Sequence, residues 1–281
     1  MAVALSVDIE VEDIEYRKIG NQTLKARMYR PNGPGPFPAI VEVHGGAWIS
    51  NDRTTNTPIH EDLSKNGVFV MAIDFRMPPD FLYPDSVRDI NFAIRWLRKN
   101  DKKYNIIGSS IGLLGTSSGG HQAILNALLP YNPFFSDAPS EYQNEGPDVG
   151  YVIACWSVLD PSARYQMVLD RGIQRLIDAH HAFWPTVESM EEGNPQKIVE
   201  QGIQERLPNI LLLQGTKDDN LTPDMAERFF EAYQSVGGNI TLEKFPLQPH
   251  AFIGKNPKSC ASLKALSMIT RFAHDEAARV K

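Results

Sequence analysis

The chain has 281 residues, 42% hydrophobic and 22% charged, which suits one soluble domain with a large core, or a core plus a small appendage. A formal net charge of −6 gives no electrostatic basis for a nucleic-acid or anionic-membrane partner, and no basic run, low-complexity tract or internal repeat occurs. No segment approaches the roughly 20 apolar residues of a membrane helix, and "MAVALSVDIEVEDIEY" lacks the basic start and unbroken apolar stretch of a signal peptide, so a cytoplasmic location is expected.

The first 30 residues alternate polar and apolar around "IGNQ", the pattern of an antiparallel hairpin. Short apolar runs follow: "AIVEV" (39–43), "VFVMAIDF" (68–75), "IGLLG" (111–115), "YVIACW" (151–156), "ILLLQ" (210–214) and "ITLEKF" (240–245). Runs that are apolar on both faces suit parallel strands covered from both sides. Helical periodicity lies between them. Val87, Ile90, Ile94 and Leu97 mark a helix over about 85–99, and Ala123, Ile124, Ala127 and Leu128 mark another. After "LTPD", Met225, Phe229, Ala232, Tyr233 and Val236 share a face, with Thr222 as expected N-cap, Pro223 as first helical residue and Gly237-Gly238 as the stop. Leu263, Leu266, Ile269 and Phe272 mark a last helix. Strands alternating with helices predict a parallel, doubly wound α/β sheet.

One stretch breaks that rhythm. More than fifty residues separate "YVIACW" from "ILLLQ", beyond a normal crossover, and 163–184 reads as helical and rich in aromatic residues. A cap insertion over about 160–206 is expected, within a single domain spanning 1–281. The two cysteines, Cys155 and Cys260, have no metal-ligand spacing, and Cys155 reads as a buried free thiol.

Gly115-Thr116-Ser117-Ser118-Gly119 matches G-x-S-x-G. The pattern is common by itself, but here it directly follows an apolar strand and opens a helix, the setting of a nucleophile elbow. That assigns Ser117 as nucleophile. A serine hydroxyl needs a base, and the base needs an acid to orient it. Asp218 and Asp219 follow one core strand, and His250 in "PHAF" follows the next. The order Ser117, Asp218, His250 is that of nucleophile, acid and base, with Asp218 preferred over Asp219. His60, His180, His181 and His274 are expected at the surface or in the cap, and His121 is expected to face inward. No metal set emerges, and no cofactor is expected. "HGGAW" ends a strand in adjacent glycines, which suits close approach of main-chain amides to a developing oxyanion. Gly46 and Ala47 are expected to supply two donors and Ser118 a third, with Gly45 supporting the turn and His44 bracing the loop.

Together these residues resemble the α/β-hydrolase superfamily, and within it the carboxylesterases related to hormone-sensitive lipase and the bacterial acetyl and feruloyl esterases. The similarity runs from about residue 20 to the end and includes "HGGAW", "GTSSGGH", "DFRMPPDFLYPDSVRDINFAIRWL" (74–97), "GTKDD" and "PHAF". It implies a mostly parallel eight-stranded sheet with helices on both faces and a helical cap inserted after the sixth strand. Asp89 resembles a residue tying its helix to neighbouring loops. Thr116 and Ser118 depart from the Asp and Ala common in relatives, and Ala47 stands where a third glycine is common. The implied activity is a serine carboxylesterase acting on short- to medium-chain or aromatic esters. Tyr165, Phe183 and Trp184, with Trp48 and Phe81, are expected to wall an apolar pocket. The alternatives are a kynurenine-formamidase-like amidase, since those enzymes share HGG-x-W and a serine triad, and a non-catalytic ligand receptor. The sequence leaves the oligomeric state open, a homodimer included.

Overall fold

A computed structural model describes residues 8–279, so the reading of the first residues as lacking a leader falls partly on 1–7, outside the described residues. Eight strands form one sheet: β1 (Ile9–Ile19), β2 (Gln22–Pro31), β3 (Phe37–Val43), β4 (Phe69–Ile73), β5 (Ile106–Thr116), β6 (Tyr151–Cys155), β7 (Asn209–Gly215) and β8 (Ile240–Phe245). Their spatial order is β1-β2-β4-β3-β5-β6-β7-β8. The β1–β2 hairpin is antiparallel and β2 joins β4 antiparallel, while every pairing from β4 to β8 is parallel.

The helices are α1 (Thr57–Lys65), α2 (Asp85–Lys99), α3 (Asp101–Tyr104), α4 (Ser118–Leu128), α5 (Pro161–Asp170), α6 (Gln174–Phe183), α7 (Val187–Glu192), α8 (Pro195–Glu200), α9 (Met225–Ser235), α10 (Phe252–Lys255) and α11 (Cys260–Ala278). Strand alternation divides the core. Ala39, Val41 and Val43 of β3, with Phe69, Met71 and Ile73 of β4, enter one core with α2, α4, α8 and α9. Ile40, Val70 and Ala72 point to the other face, where α1, α10 and α11 pack. Both faces are covered by helices, which is why the strand runs are mostly apolar. Each fully buried Val, Ile, Leu or Phe contributes about 1.5–3 kcal/mol.

Several expectations need correction. β8 lies at the sheet edge, so only its ends are buried and Leu242 between them packs on the core while partly exposed. α9 starts at Met225 with Asp224 as N-cap, two residues after the expected Thr222–Pro223 start. The 163–184 stretch is two helices, broken at Gly172, whose φ of +61° stops α5. Leu263 of α11 is exposed rather than core-facing. His60 is fully buried, where its ring faces Glu42 at 2.9 Å. Asp89 does tie its helix to its surroundings: fully buried, it accepts from Arg17 Nη1 at 2.6 Å and from the Arg76 amide at 2.8 Å. No helix among the described residues is long and apolar enough to cross a membrane.

Candidate active site

The candidate residues gather where the parallel strands end, because loops at the carboxyl edge of such a sheet converge. Ser117 follows β5 and caps α4 with φ +53° and ψ −119°, a strained conformation for a residue with a side chain. The turn is tight: a Cβ on Gly119 would lie 2.1 Å from the Val43 carbonyl oxygen. His250 follows β8 and Asp218 follows β7. His250 Nδ1–H donates to Asp218 Oδ2 at 2.7 Å, which leaves Nε2 to accept from the Ser117 hydroxyl at 2.9 Å. Asp218 is further held by Gln214 Nε2 at 3.0 Å and by the Asn220 amide at 2.9 Å. Its neighbour Asp219 is exposed and does not reach the imidazole.

The loop after β3 is shaped by its glycines and clamped by hydroxyls. Gly46 takes φ +125°, and a Cβ there would sit 2.1 Å from the Ser50 carbonyl oxygen. Ala47 and Trp48 continue at φ +52° and +68°, conformations that side chains disfavour and that therefore need external support. Thr116 Oγ1 accepts from the Gly45 amide at 3.0 Å, and Ser118 Oγ accepts from the Trp48 amide at 3.1 Å. The two residues that depart from the related pattern thus grip the loop from either side of Ser117. Between the clamps, the Gly46 and Ala47 amides have no acceptor among the described residues, and neither does the Ser118 amide at the helix start. These are groups that an oxyanion above Ser117 can engage. His44 braces the loop as expected, through Nδ1 and the Gly45 carbonyl at 2.7 Å.

A buried network behind the loop escaped the sequence reading. Asn56 Nδ2 donates to Glu42 Oε1 at 2.7 Å and to Thr116 Oγ1 at 3.0 Å, connecting the β3 carboxylate to the clamp. The available signal was Glu42 itself, a charged residue inside the apolar run "AIVEV".

The expected pocket walls lie elsewhere. The cavity at Ser117 has a volume of about 380 Å³ and is lined by Ala47, Ile49, Trp156, Leu176 and Ala179 among others. Trp48 is 1% exposed and Phe183 is 1% exposed; their rings stack at 5.3 Å, with Trp184 edge-on to Trp48 at 5.7 Å. They are a strut joining the loop to α6, not a wall. Tyr165 and Trp184 border a separate hollow on the insertion, and Phe81 lies beside Arg76 near the hairpin turn. The reason is geometric: aromatic residues in two short helices distribute over both faces, and the faces that stack on Trp48 are closed to solvent.

His121 locks the strut. Trp48 Nε1–H donates to His121 Nδ1 at 3.1 Å, so Nε2–H donates to the Gly193 carbonyl at 2.7 Å. That arrangement requires a neutral ring, and burial pushes His121 down to about 4. Burial, with neighbouring Arg164, pushes His180 down to about 2. Cys155 is a buried thiol whose pKa burial raises, and Cys260 is exposed. No group of three or more His, Cys, Asp or Glu placed to hold a metal ion occurs among the described residues.

The sequence profile of the BD-FAE family matches residues 27–233. The chain belongs to the BD-FAE family. It is 27% identical over 232 residues to Esterase LipC of Mycobacterium tuberculosis, covering 77% of this chain and 53% of LipC. It is 25% identical over 238 residues to the probable isoprenylcysteine alpha-carbonyl methylesterase ICMEL1 of Arabidopsis thaliana, covering 79% of this chain and 47% of that protein. The chain thus spans about half the length of these curated relatives. Among solved structures, the propionate-bound Est2 esterase of Thermogutta terrifontis superposes with a TM-score of 0.75 at 25% identity, covering 97% of this chain and 95% of that one. The strand order and these likenesses make the fold of this family member an α/β-hydrolase fold.

Proposed function

We propose that this BD-FAE protein is a serine carboxylesterase acting on short- to medium-chain or aromatic carboxylic esters through an acyl-enzyme on Ser117. The observation that carries this reading is the unbroken relay Ser117–His250–Asp218, at 2.9 and 2.7 Å, opening beside main-chain amides that have no acceptor among the described residues. In the first half-reaction Ser117 Oγ bonds to the ester carbonyl carbon while its proton passes to His250 Nε2. The carbonyl oxygen takes the electron pair and is met by the amides of Gly46, Ala47 and Ser118. Collapse breaks the bond to the alcohol, which leaves with the proton from His250. A water then gives its proton to His250 as it attacks the acyl carbon, and Ser117 departs with that proton restored. Asp218 holds the imidazole tautomer throughout. A cavity of about 380 Å³ supports small acyl groups. Exposed Cys260, unpaired, fits a reducing cytoplasm.

The test compares turnover of p-nitrophenyl acetate and N-formylkynurenine by the protein and its Ser117→Ala variant. Sustained ester turnover lost in the variant supports the esterase. Preferential formamide turnover transfers the reading to an amidase. A single acetyl burst without turnover, with ligand binding indifferent to Ser117→Ala, assigns a receptor.

A further inference from the structure

Among the described residues, the cavity holds a cation without a counter-ion. Arg164 of α5 lines the space above Ser117 and is 2% exposed, as deeply buried as the core aromatics. Its Nε and Nη1 are enclosed and have no hydrogen-bond partner among the described residues. The guanidinium lies over the Trp48 ring at 5.2 Å. That contact satisfies one face of the planar cation, but the N–H donors radiate in the plane and gain nothing from it.

The surroundings do not neutralise the charge. Arg175 of α6 lines the same cavity and adds a second cation, its Nη2 donating to Asn220 Oδ1 at 3.0 Å. Asp218 supplies an opposing field, but that carboxylate already accepts from His250 and Gln214. His180 and His121 lie near Arg164 without lining this cavity, and both are neutral as argued above. Burial pulls Arg164 down to about 10, so it keeps its proton at neutral pH. An unpaired buried cation is costly, and proteins retain such groups where a ligand completes them.

We infer that Arg164, with Arg175 beside it, forms an anion subsite of the ester pocket, so that the preferred substrates are esters carrying a carboxylate. The inference rests on the serine-esterase reading and names the substrate class of that site. A carboxylate matches the guanidinium fork geometrically, and a charge-assisted pair in an enclosed site separates charged from neutral substrates by roughly ten- to a hundred-fold. Arg164 is thereby a specificity residue: it contacts the part of the substrate that does not react.

The experiment measures kcat/KM for two matched pairs, each corrected for spontaneous hydrolysis. The mono-4-nitrophenyl ester of succinate against its methyl-capped diester places the charge on the acyl side. 4-Acetoxybenzoate against its methyl ester places it on the alcohol side. The expected result is a preference of tenfold or more for the charged member of one pair, carried mainly by KM. That ratio should collapse toward one in Arg164→Gln and be partly kept in Arg164→Lys. If neither charged ester is preferred, or the preference survives Arg164→Gln, the subsite is refuted. Should the Gln variant fail to fold, the native protein still decides: glutarate must compete with p-nitrophenyl acetate, and absence of competition refutes the proposal. Turnover of all four esters without charge preference sinks only this inference. No turnover and no fluorophosphonate adduct on Ser117 sinks the esterase reading beneath it.

Discussion

The ends of the central strands and the helical insertion after β6 form the two sides of one cavity, yet they are built on opposite principles. The strand side is local: β3, β5, β7 and β8 each end in a short turn that delivers one or two functional groups. Its register is fixed by the two cores beneath it. The insertion side is assembled from side chains on α5 and α6, which share a small apolar cluster of Met167, Val168, Leu176 and Ile177, against which Ala47 packs, while Phe183 joins the large core. Under the proposed esterase reading, chemistry therefore belongs to the sheet and substrate choice to the insertion. Ala47 packs on that cluster and Trp48 stacks on Phe183, so the loop after β3 is where the two sides meet.

The sharpest way to break this division is Asp218→Asn. It should lower kcat by about ten-thousand-fold while Asp219→Asn changes it only a few-fold, measured with p-nitrophenyl acetate. Equal effects would dissolve the assignment of the acid. Truncating the strut comes next. Trp48→Ala should destabilise the fold by about 3–5 kcal/mol in denaturant unfolding, as for other buried large-to-small changes. The relative rates on acetate and butyrate esters should survive, because Trp48 does not line the cavity; a changed chain-length profile would make it a wall after all.

Acid should weaken the same junction. His121 is held near 4 against an ordinary 6.5, and burial lowers His44 and His180 too, so the unfolded chain binds more protons below neutrality. Stability is complete above about pH 6.5 and falls as pH drops toward 4, by about 3 kcal/mol for His121 alone. Unfolding midpoints at pH 7, 5.5 and 4.5 check the sign; a flat profile would mean these rings are charged in the fold. The smallest expected effect belongs to the clamp. Thr116→Val removes the acceptor for the Gly45 amide and should lower kcat by about tenfold or more with little change in KM. A pure KM effect would place Thr116 in substrate binding instead.

The same contrast explains what the sequence revealed. Ser117, Asp218 and His250 were legible because each sits within a few residues of a strand end, and such local signals survive without knowledge of packing. α2 was legible to its last residue because one apolar stripe faces one core. The insertion was not: aromatic content in 163–184 says that something is buried, but Gly172 splits the segment and sets which rings meet Trp48. Phe81 failed for a related reason, since Arg76 holds it near the hairpin. Of the Glu42–Asn56–Thr116 network only the buried charge was signalled, because its members are distant in sequence, and His60 looked like a surface or cap residue until α1 packed on β2 and β4 with the ring facing Glu42.

The central claim is that Ser117 is the one activated hydroxyl. Fluorophosphonate labelling followed by peptide mass mapping tests it directly. A single adduct on Ser117 is expected, abolished by Ser117→Ala and retained in Ser118→Ala; an adduct on any other residue, or none with the folded protein, contradicts the account.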